Sequence, residues 1–272
     1  MFLEMMSFDF MQNAFIAGLL VAIACGIMGS FVVVNKLTGL SGGVAHASYG
    51  GVGLACFFGF SPMLGALGFA LACALLMGVL TWKNRTRSDT LIGVIWAFGM
   101  ALGVVLTDLT PGYASDMMSF LFGSILTVPS SLIVIMFMLL FLIVSLTLFY
   151  YRDFLLLSYD PEFAQVKRVR VFPLYLLLIV LITFTVVMAV QAVGLILVIA
   201  LLTIPAYVAE SHVNQLKHMI MISVGLSLIL VISGLFLAFK INFTVGPVII
   251  LLSVFLYLIN LGMMTLQKKW RR

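Results

Sequence analysis

A single histidine, His46, stands in an apolar tract that holds no Asp, Glu, Lys or Arg between Lys36 and Lys83. Around it runs Ser41–Ala55, written SGGVAHASYGGVGLA, in which Gly43, Ala47, Gly51 and Ala55 recur every fourth residue. On a helix these four make one small-residue ridge that lets a neighbouring helix approach closely. Gly42, His46 and Gly50 form the adjacent row, so the imidazole projects beside that contact with little bulk around it. An ionisable group at such a place in a membrane helix marks a transport pathway by default. A structural histidine bonded to a carbonyl of the next helix is the alternative, and the periodicity leaves both open.

Two acids, Asp108 and Asp116, flank the turn chemistry of Pro111-Gly112, as residues of a solvated loop do. A third stretch, Tyr159–Val166, has the pattern of a short amphipathic helix. Asp160 suits the N-cap, Pro161 the first helical position, and Glu162 the positive end of the dipole. Phe163 and Val166 then offer an apolar face within a charged segment; an ordinary interfacial helix covering the base of a bundle would show the same pattern. Glu210 ends an apolar stretch, where a place at a pathway exit competes with a plain surface role. Gly194 and Pro205 bracket a segment able to bend, as a gate must.

The elements that position these residues follow from composition. The 272 residues are 64% hydrophobic and 8% charged, with a mean hydropathy of +1.29. Soluble domains carry roughly 25% charged residues, and a helix crossing the hydrocarbon needs about 20 apolar residues. This pattern predicts an all-α, polytopic membrane bundle of eight or nine transmembrane helices, in one domain covering 1–272. The short alternating segments of a β-barrel do not occur. The spans are expected at Ala14–Val34, through the His46 stretch to Pro62, on to Trp82, Leu91–Thr107, Pro129–Tyr151, Phe172–Val190, Val193–Ala209, Met219–Phe239 and Val245–Thr265. Phe120–Thr127 is too short to cross and suits a partial helix. A tight link at Gln191 joins the sixth and seventh spans, and Arg152–Arg170 forms the longest polar segment.

Nine crossings put the termini on opposite sides. With the N-terminus outside and the C-terminus in the cytoplasm, Lys240 is the one basic residue outside, while Glu4, Asp9, Asp108 and Asp116 all lie outside. Glu4 and Asp9 also stand where a secretory signal carries positive charge, so no cleavable signal is expected. The net charge of +5 thus has a membrane explanation, and nucleic acid is not an expected partner. Cys25, Cys56 and Cys73 fall in apolar spans without metal or disulfide spacing, and the 17 methionines read as packing. His212 and His218 read as solvated.

The spans hold essentially no carboxylate to bind a driving ion, and no nucleophile–base pair or Walker loop occurs. The chain therefore reads as a pathway whose work comes from a partner. Three stretches carry a family resemblance. Ala45-His46-Ala47-Ser48 with Gly51-Val52-Gly53 is similar to the second-span AHA…GVA motif of the membrane permeases of zinc, manganese and iron ATP-binding-cassette importers. Asp160–Val166 resembles their cytoplasmic DEEFA segment, and Ala192–Leu195 through Ala200–Ala206 resembles their AVG…ALL-x-x-PAA span. Ser88–Gly93 and Asn242–Pro247 match weaker patterns, so the likeness runs collinearly over nearly the whole chain.

The resemblance implies a homodimeric permease in a bacterial inner membrane, its pathway on the dimer axis. It implies two cytoplasmic ATPases holding the ATP, an extracytoplasmic metal-binding protein, and a transported zinc, manganese or iron ion rather than a resident cofactor. Asp160, Glu162, Phe163, Ala164 and Val166 then form the coupling helix, and the chain itself is no enzyme. The family pairs an aspartate with the histidine four residues on; here that position is Gly42. Metal selection then rests with the binding protein, or Asp108 or Asp116 supplies the oxygen. The family's glycine after the coupling segment is also replaced, near Arg168. A stand-alone secondary transporter or channel is the alternative, and a scaffold in which His46 is purely structural is a third.

Overall fold

The computed structural model describes residues 8–83, 87–110, 123 and 125–270. Among these residues the chain forms eleven α-helices and one 3₁₀ turn. They are α1 (Asp9–Val34), α2 (Thr38–Phe58), α3 (Pro62–Lys83), α4 (Ser88–Asp108), α5 (Ser130–Phe149), α6 (Tyr151–Tyr159), α7 (Pro161–Val166), α8 (Val171–Val193), α9 (Leu195–Glu210), α10 (Leu216–Ile241) and α11 (Val245–Trp270). Seven of them, α1, α3, α4, α5, α8, α10 and α11, are long and apolar enough to cross a membrane. With α2, whose 21 residues are diluted by glycine and serine, and α9, at 16 residues, they follow the nine expected spans in order.

Three boundaries differ from the sequence reading. The link between α8 and α9 falls at Gly194, three residues past Gln191. Gly194 takes φ 82 and ψ 168, a conformation closed to other residues, and this places the break. The fifth span stops at Phe149, and the polar segment expected from Arg152 opens with a helix, α6. Phe154 and Leu157 of α6 are buried, so three-residue spacing of apolar groups inside a charged stretch seats this helix against the bundle. Of the expected partial helix at Phe120–Thr127, the described part is the 3₁₀ turn Ile125–Thr127.

The last carbonyls of a helix lack intrahelical partners, and this chain closes several helices with left-handed caps. After α1, Lys36 (φ 56) lets Leu37 N–H reach Val32 O at 2.8 Å. After α10, Asn242 (φ 59) lets Phe243 N–H reach Ala238 O at 3.0 Å. Pro62 opens α3 at a position where its missing N–H costs nothing.

Helices α1 and α8 are the central posts, with 72% of each span buried, whereas α4, α5 and α11 have 22% buried and form the periphery. Small residues set the contacts. Gly29 of α1 lies against the Leu202 carbonyl of α9, and Gly26 against the Val224 backbone of α10. Helix α2 is clasped between α3 and α4, and that clasp holds His46.

Candidate metal pathway

Gly43, Ala47, Gly51 and Ala55 do not face one neighbour. A Cβ on Gly43 would meet Ile92 of α4 at 2.7 Å and Met77 of α3 at 3.3 Å. Ala47 packs on Gly99 of α4, while Gly51 and Ala55 lie on Gly65 of α3. The row is divided because a four-residue repeat drifts around a helix of 3.6 residues per turn. A second small-residue seam, not anticipated, brings the α2 and α4 backbones together. A Cβ on Gly50 would come 2.7 Å from the Gly99 carbonyl, and one on Gly53 2.6 Å from the Gly103 carbonyl. Glycine on both helices is what lets these backbones touch.

His46 sits at the ninth of the 21 residues of α2, close to mid-helix. Its Nδ1–H donates to the Gly42 carbonyl at 2.9 Å, one turn back on its own helix. That bond sets the tautomer and leaves Nε2 as the lone-pair nitrogen, with no protein partner among the described residues. The ring also lies against Trp96 of α4, centroids 4.2 Å apart and planes at 37°. Trp96 in turn donates its indole Nε1–H to Met100 Sδ at 2.9 Å. Fixing one imidazole nitrogen on a carbonyl while the other stays free is how proteins present a histidine to a metal. Gly42 differs from the packing glycines beside it: the nearest atom to an added Cβ is Ile199 Cδ1, at an ordinary 3.8 Å.

Of the two expected acids, Asp108 does not lie beside this imidazole. Asp108 is exposed at the far end of α4, twelve residues beyond Trp96, or about 18 Å along the helix axis. Asp116 lies outside the described residues. Among the described residues no group of three or more His, Cys, Asp or Glu side chains gathers in metal-binding fashion.

Gly194 and Pro205 lie on α8–α9 as a bracket. Gly194 packs backbone to backbone on Gly123 (φ 62), beside a cavity of about 290 Å³ lined by Ile125, Leu197 and Phe243. Pro205 is buried inside α9 and deprives the Leu201 carbonyl of its helical partner.

At the basic end of the bundle, Asp160 caps α7: its Oδ1 accepts Phe163 N–H at 2.8 Å, with Pro161 at the first position and Glu162 in the first turn. Ala164 is fully buried, Phe163 is 45% exposed and Val166 is 78% exposed, so the helix is anchored by one small residue and turns its apolar pair outward. The Lys167 ammonium lies 5.5 Å from the Phe163 ring centre. Arg168 follows with φ 60, and its neighbours close the helix through Arg168 N–H to Gln165 O (2.9 Å) and Val169 N–H to Ala164 O (3.0 Å). A left-handed position of this kind is one that glycine fills most readily.

Several residues at this end were invisible as a site in sequence. A cavity of about 390 Å³ lies beside α7, lined by Lys36, Thr81, Asp89, Ser158, Pro161 and Tyr175. Asn35 Nδ2 donates to Ser158 Oγ at 2.9 Å and ties the end of α1 to α6. Glu210 borders a second opening of about 640 Å³ with Lys36, Thr203 and Tyr257. Tyr159, at the end of α6, has its hydroxyl pKa pushed up by partial burial, then by the Glu210 carboxylate and Tyr151. His212 is not merely solvated: its Nε2 pairs with Asn260 Oδ1 at 2.7 Å, joining the α9–α10 turn to α11. A histidine at a helix end and an asparagine in a span are the only traces of that link in the sequence.

Comparison with known proteins covers this whole arrangement. An uncharacterized membrane protein of Synechocystis sp. is 48% identical over 259 residues, 95% of this chain and 92% of that protein. The manganese transport system membrane protein MntC of Listeria innocua is 32% identical over 260 residues, again 95% and 92% of the two chains. Among solved structures, PsaBC from Streptococcus pneumoniae in complex with Fab superposes with a TM-score of 0.85 at 30% identity, covering 96% of this chain and 95% of that one. The model of the ABC 3 transport family matches residues 7–264, and with nearly every described helix inside that match this chain belongs to the ABC 3 transport family.

Proposed function

We propose that this chain is the membrane permease subunit of an ATP-driven importer of a divalent metal ion. The observation that carries the reading is the full-length match to the ABC 3 transport family, together with manganese transport proteins of the same extent. Two copies form the pathway, an extracytoplasmic protein delivers the ion, and ATP is hydrolysed on a separate cytoplasmic subunit. The basic end of the bundle, with Lys36, Arg152, Lys167 and Arg170, faces the cytoplasm under the positive-inside rule, so the N-terminus lies outside and the C-terminus inside.

In this reading His46 Nε2 takes the ion as a passing ligand. One imidazole per subunit holds it weakly, which suits a conduit: binding tight enough to enter and loose enough to leave. Helix α7 docks on the ATPase through Phe163 and Val166, and its movement reaches α2 across the cavity shared by Pro161, Ser158, Lys36 and Gly39. Gly194 and Pro205 give α9 the freedom to bend as the pathway changes access.

Reconstitution into liposomes with the ATPase and binding protein tests the function. Zinc, manganese and iron(II) are offered in competition, with and without ATP. The reading requires ATP-dependent uptake of at least one of them. Uptake by the chain alone, without ATP, would overturn it in favour of a stand-alone transporter.

A further inference from the structure

The geometry points to Trp96 as the positioning residue for the pathway histidine: its indole, held by Met100, fixes the His46 ring and supports the charge of an ion bound at Nε2. The inference rests on the pathway reading of His46 given above and adds a residue that reading does not use. Two restraints meet on one imidazole. The Gly42 carbonyl takes Nδ1–H at 2.9 Å and fixes the ring edge, while the Trp96 indole lies on one ring face with centroids 4.2 Å apart. The indole is itself restrained, because its Nε1–H donates to Met100 Sδ at 2.9 Å, one turn on along α4. It has not spent its polar atom on the imidazole, so its π face is what His46 meets.

That placement has no need to serve packing. The α2–α4 seam is already closed by Gly50, Gly53, Gly99 and Gly103 at backbone contact, and Trp96 stands at its margin, 39% exposed. Tryptophan gives the strongest ring quadrupole among side chains, and it attracts a cation or an imidazole that has taken on positive charge from a bound cation. Among the described residues no carboxylate contact to His46 occurs, and the indole face is the electron-rich surface set against its ring. A neutral, empty imidazole gains little from it; an ion-loaded one gains more. Trp96 thus favours the loaded state and keeps Nε2 aimed into the pathway between passages.

The arrangement carries its own reporter. Replacing Trp82 and Trp270 by phenylalanine leaves Trp96 as the sole indole of the chain. In that background, assembled with its ATPase in lipid nanodiscs, Zn²⁺ and Mn²⁺ titrations should each change Trp96 emission saturably if the ion is a substrate. The change should vanish in His46→Ala. In uptake assays Trp96→Leu should raise the half-saturating metal concentration about tenfold with the maximal rate little changed, and Trp96→Phe should recover part of that loss. A Trp96 emission indifferent to a transported ion, or a Trp96→Leu protein with unaltered half-saturation, would overturn the inference while leaving the importer reading standing. If His46→Ala itself transports normally, the pathway reading falls first and Trp96 falls with it.

Discussion

At the scale of single residues, the account turns on one imidazole and the glycine a turn before it. His46 is tied by Nδ1–H to the Gly42 carbonyl and keeps Nε2 free. Its replacement by alanine should cut ATP-dependent metal uptake about tenfold, the equivalent of about 1.4 kcal/mol of lost ligation. Asp108→Asn should change uptake little, since that carboxylate stands some three helical turns along α4 from Trp96, the residue against which His46 lies; a loss equal to that of His46→Ala would move the ion site outward. Gly42 is the informative neighbour. Its surroundings admit a Cβ, so Gly42→Asp should leave the protein folded and place a carboxylate one turn from the imidazole. A half-saturating metal concentration lowered severalfold, measured by radiotracer uptake, is the expected result, because oxygen and nitrogen donors on one helical face can share one ion. The sequence made His46 legible through its isolation in a charge-free tract and through the Ala45-His46-Ala47 motif around it. It could not reveal Trp96, because that contact depends on α4 crossing α2 at a particular height.

At the scale of helices, contacts are set by where side chains are missing. Gly51 of α2 meets the Gly65 backbone of α3 with no room for a Cβ. Gly51→Val should therefore destabilise the bundle by about 1–3 kcal/mol, the usual cost of overpacking, read as an earlier loss of helicity on heating in detergent. The opposite holds at the end of α7. Arg168 occupies a left-handed position without being glycine, and Arg168→Gly should stabilise that cap by about 1 kcal/mol. Slower hydrogen exchange at the Arg168 and Val169 amides would register it. Most of the helices were readable because about 20 uncharged residues leave one structure available in lipid. Helix α6 was not, since its charges at Arg152 and Asp153 masked Phe154 and Leu157, which only the bundle's surface can accept. The α8–α9 break was misplaced for a similar reason. Polarity suggested Gln191, whereas the backbone demanded the one residue able to take φ 82, Gly194.

At the scale of the whole molecule, a bundle nearly free of charge in its spans joins a family of transport permeases. It presents one small, firmly capped helix at its basic end, with Phe163 and Val166 turned outward and Ala164 buried beneath them. In the proposed importer, the ion moves because a motor pulls on this helix. Collinear motifs made the family legible from sequence, but how α7 sits against a cavity between α1, α2, α4 and α6 needed the fold. The most direct measurement compares ATP hydrolysis and metal uptake in proteoliposomes holding the full complex with either the unaltered chain or Glu162→Ala/Phe163→Ala. The account predicts that the double variant assembles in the membrane, yet loses uptake and loses the stimulation of hydrolysis by metal-loaded binding protein. Uptake and stimulation at the unaltered level would contradict it.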